Sequence, residues 1–234
     1  MTRTNSVQPR QLSIRRQRQL MPRPGKGQVR LNLGAVGLSP LGVQAVGTVD
    51  AVGQDAVGFA PGDRVAIRVP GTRVGFPRIA SERDLIGIPK DVSFDDAAAL
   101  LPAGLIARTI VKQLHSIGRG NRVRIEQDDD GAHRFVAAWV HYVGAIVVTD
   151  DSIEKSDVVV TAEDFHAARR WRFGHGLGQL AAADVFAAIR AGAFAELDVP
   201  IHPLGEATRL QTDIKEKRTA GPVVLMPGDV SLAA

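Results

Sequence analysis

The sequence predicts an α/β (α+β) protein: a compact β-barrel or rolled sheet followed by a parallel β-α-β unit. Three observations carry this reading. Up to Ile88 the chain is a series of short apolar alternations separated by Gly/Pro turns, the signature of a many-stranded antiparallel sheet. From Ser93 apolar residues recur at helical spacing instead. Between Arg122 and Thr149 a strand, a helix and a second strand follow one another, which implies parallel pairing through a right-handed crossover.

Each element has a local cause. Gln11–Leu20 alternates loosely and reads as a weak strand before the turn Pro22-Arg23-Pro24-Gly25. Val29, Leu31 and Leu33 share one face of the next strand, Gly42–Val52 is rich in Val and Gly, and Arg64–Val69 follows the turn Pro61-Gly62-Asp63. Ile79–Ile88 closes this part. Arg68 and Arg73 flank Pro70-Gly71 in what reads as an exposed hairpin. Ser93 is a good N-cap, with Asp95 and Asp96 in the first turn, where the helix dipole favours acids. Pro102 and Gly104 are expected to break the helical stretch into two, Ala97–Leu101 and Leu105–Leu114. Arg122–Ile125 is a strand, Ala132–Val143 a helix ending at Gly144, and Ala145–Thr149 a strand. Phe135, Trp139 and Val143 share one helical stripe, a core face. Asp157–Thr161 reads as a further strand, Gly174–Gly178 as a flexible turn, Leu180–Ala193 and Glu206–Lys217 as helices, and Val223–Met226 as the last strand.

Composition narrows the function classes. With 44% hydrophobic and 23% charged residues, the 234-residue chain is an ordinary globular one, large enough to bury a core. No apolar run approaches the ~20 residues of a membrane span, and no secretory core follows Met1. The absence of cysteine excludes disulfides and thiolate metal sites and fits a cytoplasmic location. The six histidines have no ligand-like spacing to carboxylates, so no metal is expected. The basic balance is local. Eight of the 29 Lys and Arg lie in residues 1–30, ahead of the first acid at Asp50, leaving 21 against 25 acids elsewhere. An Arg-studded edge strand explains this better than a nucleic-acid surface, so neither nucleic acid nor membrane is expected as a partner.

Several stretches, read in order, resemble the medium-chain dehydrogenase/reductase superfamily, closest to polyketide-synthase enoyl-reductase domains and zinc-free quinone reductases. They are Arg23-Pro24-Gly25-Lys26-Gly27-Gln28-Val29, then Gly47–Gly53 followed by Phe59-Ala60-Pro61-Gly62-Asp63-Arg64-Val65. Ile88–Ala98 comes next, and Gly205–Pro227 with Gly221-Pro222-Val223-Val224-Leu225 completes the series. The resemblance implies a medium-chain-reductase-like β-barrel catalytic domain packed on a Rossmann-like domain, with NADPH and an activated alkene between them. It divides the chain into residues 1–93, to which 195–234 return, as the barrel-like substrate part, and 94–194 as a reduced Rossmann-like part. It also implies dimerisation through Rossmann edge strands, which are partly missing here, so a homodimer stays open.

The sequence departs from that pattern where the nucleotide would bind. In place of a Gly-rich loop ending Gly-Gly-Val-Gly, it has Asp128-Asp129-Asp130-Gly131-Ala132-His133. Three carboxylates facing a diphosphate would each cost on the order of 1 kcal/mol or more. Arg122-Val123-Arg124-Ile125-Glu126 alternates, suggesting a strand with a wet face or at an edge. Gly104-Leu105-Ile106-Ala107-Arg108 lacks the family's Thr near the nicotinamide. Gly37-Leu38-Ser39-Pro40 carries Ser where the family has Asn, and the stretch that normally follows is deleted before Leu41-Gly42-Val43-Gln44.

These departures point first to an enzyme that needs no cofactor, NADPH included. It would act on an apolar, enone- or polyketide-like small molecule, free or carrier-bound, by cyclisation, isomerisation or addition. Candidate catalytic residues are Ser39, Gln44, Asp128, Asp130 and His133, the last beside three carboxylates and so placed for acid/base work. Two alternatives stand beside this: an NAD(P)H-dependent enoyl or quinone reductase with atypical nucleotide binding, and a non-catalytic binding remnant docking through its Arg-rich start.

Overall fold

The computed structural model describes residues 22–69, 79–149, 156–170, 175–219 and 221–227. The expected strand Gln11–Leu20 and the turn carrying Arg73 lie outside the described residues. The alternating first part forms β1 (Gln28–Ser39), β2 (Gly42–Val52), β3 (Arg64–Val69), β4 (Ile79–Ser81) and β5 (Leu85–Gly87). Ile79–Ile88 is thus two short strands around a 3-10 turn, Glu82–Asp84, where the sequence reads as one.

Two late strands join this sheet: β9 (Ile201–Pro203) and β10 (Val223–Met226). The seven-stranded order is β5-β3-β2-β1-β10-β9, with β4 against the first residues of β1. β10 runs antiparallel to β1, pairing Val36 with Leu225, and β9 runs parallel to β10. β5 and β9 end the order, so the sheet is rolled rather than closed. Two register shifts in β1, at Arg30/Leu31 and Leu33/Ala35, are bulges that bend the strand. The alternation read from the sequence buries Val29 and Leu31 with Ala45, Val49, Val65 and Leu85 inside the roll.

On the outer face lies α1 (Phe94–Thr109), which continues through a π turn, Ile110–Leu114. Ser93 Oγ accepts the Asp96 N–H at 3.0 Å, the expected cap. Pro102 does not break the helix. It has no N–H to donate to the Ala98 carbonyl four residues back, and that carbonyl packs against β1. A Cβ built on Gly37 would stand 2.0 Å from the Ala98 oxygen, so only glycine admits the approach. Gly104 likewise lets a later helix in, since a Cβ there would meet Val185 Cγ1 at 2.6 Å. The segment Phe94–Leu114 is long and apolar enough to cross a membrane by length and composition alone, but 67% of its most apolar 18-residue stretch is buried in this core.

The second sheet contains β6 (Arg122–Ile125), β7 (Ile146–Val147) and β8 (Val158–Val160), with α2 (Ala132–Tyr142) as the crossover. All pairs are parallel in the order β7-β6-β8. β6 is therefore central, not an edge, and its alternation marks a partly wet face: Val123 is buried while Arg122 is exposed. α3 (Ala162–Arg170), α4 (His175–Arg190) and α5 (Ala207–Lys215) complete the chain. The stretch at His175, expected as a flexible turn, opens α4 instead. Trp139 and Phe135 are fully buried against Phe194, with ring centroids 6.0 and 5.6 Å away.

Candidate functional site

The loop from β6 into α2 lies where a parallel crossover unit offers backbone donors to an anion. Gly131 sits in the left-handed region, φ 74°, and starts α2. A Cβ there would meet nothing within 4 Å, so the space in front of the turn is open. The three aspartates of this loop are not three free charges. Asp128, with a side chain only 5% exposed, accepts the His133 backbone N–H on Oδ1 at 2.9 Å and lies 3.0 Å from His133 Nδ1. Its Oδ2 is bonded by Arg169 from the end of α3, and the same guanidinium reaches Asp130 Oδ2 at 2.9 Å. Asp129 is held by Lys217 at 2.7 Å, from the segment after α5.

These contacts decide protonation. Burial pushes the Asp128 carboxyl up, but the His133 amide and ring and the Arg169 guanidinium together hold it below the usual carboxylate range. The hydrogen bond from Lys217 lowers Asp129, and the same bond raises Lys217. Asp128 and Asp129 are therefore held as carboxylates, and the loop's three acids are paired with two cations.

Two openings border this loop. A polar crevice of about 510 Å³ lies at the carboxyl ends of β6 and β7, lined by Arg124, Glu126, Gln127 and Thr149 among others. A cavity of about 290 Å³ lies on the other side. Its walls come from the β1–β2 turn (Leu38, Pro40, Val43) and from Ile214 of α5, and its polar rim includes Ser39, Asp130 and Lys217. Ser39 Oγ accepts the Leu41 N–H at 3.2 Å and donates to the Gly42 carbonyl at 3.4 Å, fixing the tight hairpin between β1 and β2.

The five sequence candidates separate accordingly. Ser39 and Asp130 meet at the cavity. Asp128 and His133 stand behind it, bonded to each other. Gln44 is buried in the middle of β2 with its Nε2 unpartnered among the described residues, and does not line the cavity. Arg169 and Lys217 were not singled out from the sequence. Lys217 had one local signal, its place two residues beyond an amphipathic helix; the structure adds that it takes φ 56° where glycine is usual. Arg169 had none beyond membership of an Arg-rich run.

A rolled antiparallel sheet completed by the last strand and joined to a parallel crossover unit, with openings at the junction, is the architecture of reductases of the medium-chain type. The chain matches no protein-family model. It is 29% identical to a 2-haloacrylate reductase of Burkholderia sp. over 56% of this chain and 47% of that protein. It is 27% identical to a quinone oxidoreductase of Pseudomonas aeruginosa over 57% of this chain and 47% of that one. Polyketide synthases also match over a small share of their length. The chain thus spans about half the length of these two reductases and far less of the synthases. Among solved structures, 2-haloacrylate reductase superposes with a TM-score of 0.69 at 19% identity, covering 89% of this chain and 93% of that one. Mycobacterial Rv1454c complexed with NADPH gives 0.64 at 20% identity, covering 88% and 93%. The resemblance to the medium-chain reductases, with a shortened second part, is borne out.

The expectation that no cofactor is used is overturned. The chain's relatives are named as reductases and oxidoreductases, and one of its fold neighbours is complexed with NADPH. The physical premise also weakens, because Arg169 and Lys217 offset part of the negative charge that was expected to repel a diphosphate. A cofactor-independent cyclase or isomerase finds no support among the relatives. The fit is uneven along a dinucleotide: polar side chains line the crevice beside β6 and β7, whereas the His133 amide at the start of α2 is taken by Asp128.

Proposed function

We propose that this chain is a nicotinamide-dinucleotide-dependent reductase of quinones or activated alkenes, with atypical nucleotide binding. The observation that carries the reading is the placement of an apolar-walled cavity beside a polar crevice, both bordering the β6–α2 loop. In this reading residues 94–194 form the nucleotide side, with Arg124, Glu126, Gln127 and Thr149 holding the ribose end. Residues 1–93 together with 195–234 form the substrate side. A reduced nicotinamide, when bound, would supply the hydride; the chain itself supplies shape and charge, and solvent at the polar rim supplies the balancing proton. Leu38, Pro40, Val43 and Ile214 exclude water from an apolar ring or alkene. Lys217, kept protonated by Asp129, faces negative charge gathering on a carbonyl oxygen. The Ser39 hydroxyl, fixed by its two backbone contacts, orients the same group. Asp128 and His133 hold the loop.

The test is turnover by the purified chain. NADPH or NADH is mixed with a panel of quinones, enones and an enoyl thioester, and nucleotide oxidation is followed. Substrate-dependent oxidation supports the reading; no turnover together with no measurable nucleotide binding sinks it. Replacing Lys217 by Ala is expected to lower kcat/KM by about tenfold, chiefly through kcat, in the same assay.

A further inference from the structure

We infer that the cavity between the β1–β2 turn and α5 takes a small unsaturated carboxylate, with Lys215 pairing the carboxylate group at the rim. The inference rests on the reductase reading above and names the substrate class of that same cavity. Gln211, Ile214 and Lys215 line the α5 side of the opening. Their spacing of three and four residues places them on one helix face, so the methylene stem of the lysine extends the wall that Ile214 begins. Leu38 and Val43 face the opening from the β1–β2 hairpin. The charges of the lining do not cancel. Asp129 is spent on Lys217 at 2.7 Å, and Asp130 on Arg169 at 2.9 Å from outside the cavity. Lys215 makes no ion pair among the described residues, although α5 and the segment after it are otherwise rich in them. One uncompensated cation therefore borders an apolar-walled space.

A neutral quinone or enone would fill the apolar part and leave this charge to solvent. A carboxylate on a short unsaturated chain meets both parts at once, with its carbons against Leu38, Val43 and Ile214 and its oxygens at Lys215. The volume of about 290 Å³ lies at the low end for small-molecule sites, which suits a short acid better than a long acyl chain. The carboxylate enters and leaves unchanged. In turnover the carbon–carbon π bond breaks and two C–H bonds form, one with the hydride of the reduced nucleotide and one with a solvent proton.

Matched ligands test this on the full chain: trans-2-hexenoate and trans-cinnamate, each as the free acid, the methyl ester and the coenzyme A thioester. Calorimetry without nucleotide gives Kd, and oxidation of NADPH or NADH gives kcat/KM. The acid is expected to bind about fivefold more tightly than its ester, and the excess should shrink as salt is raised. Lys215→Gln should bring the acid-to-ester ratio to within about twofold of one, and Lys215→Arg, which keeps the charge, should preserve the preference. An ester or thioester favoured over the acid, or a ratio unchanged in Lys215→Gln, would overturn the inference; turnover of quinones or esters in the same preparation would leave the reductase reading standing. An equal fall in Lys26→Gln, a charge outside the cavity lining, would also overturn it, assigning the effect to net charge. Acid binding that depends on Lys215, without any nucleotide oxidation, would support the ligand class and count against the reductase reading. Absence of binding by every ligand overturns the inference.

Discussion

At the scale of single residues, Asp128 links stability to pH in a direction fixed by its contacts. Its folded carboxyl titrates below the ordinary value of 3.8. The stability it contributes is present above that value and is lost as pH falls through the lower, folded one. Denaturant unfolding of wild type and Asp128→Asn should therefore differ by about 1.5–3 kcal/mol near neutrality and converge as pH is lowered past 3.8. Gly37→Ala is a steric test. Its Cβ would strike the Ala98 carbonyl oxygen, a backbone atom that cannot rotate away, and a loss of about 1–3 kcal/mol is expected in the same measurement. The sequence made the three aspartates conspicuous but not their partners. Arg169 and Lys217 lie 41 and 88 residues away along the chain, and no local pattern announces a pairing at that separation. Reading charge without its partners led to the rejected cofactor-free expectation.

At the scale of elements, periodicity served well where packing follows it and failed where a single contact decides. The strand–helix–strand run from Arg122 and the cap at Ser93 were legible because each depends on residues within one turn. The continuity of α1 through Pro102 was not, because it depends on β1 accepting a displaced carbonyl. The start of α4 was read as a loop from its glycines, yet Gln179 explains its place: its side chain accepts the Gly87 N–H at 3.2 Å and donates to the Leu85 carbonyl at 2.8 Å. An amide side chain thus completes the outer edge of β5 as a further strand would. Gln179→Ala should cost about 1–3 kcal/mol by leaving these partners unpaired and should raise the aggregation rate on heating, followed by light scattering. Ser93→Ala removes the cap of α1 and should cost about 1 kcal/mol.

At the scale of the whole molecule, the order of the parts was legible and their closure was not. Turn chemistry and alternation gave a rolled sheet, but alternation carries no partner, so the seating of Val223–Met226 beside β1 came only through the resemblance. The turn after Ser39 also had a legible place and an unread effect: it joins β1 to β2 in a tight hairpin whose Ser39 borders the cavity.

The position of β10 between β1 and β9 also decides when the large sheet can be completed. One side of β1 along Val36–Leu38 meets β2 across a short hairpin, whereas the other side meets Val223–Leu225, which lies beyond the whole crossover unit along the chain. Closing so long a loop is slow compared with forming a hairpin. Until it closes, that side of β1 is an open edge on which another chain can pair.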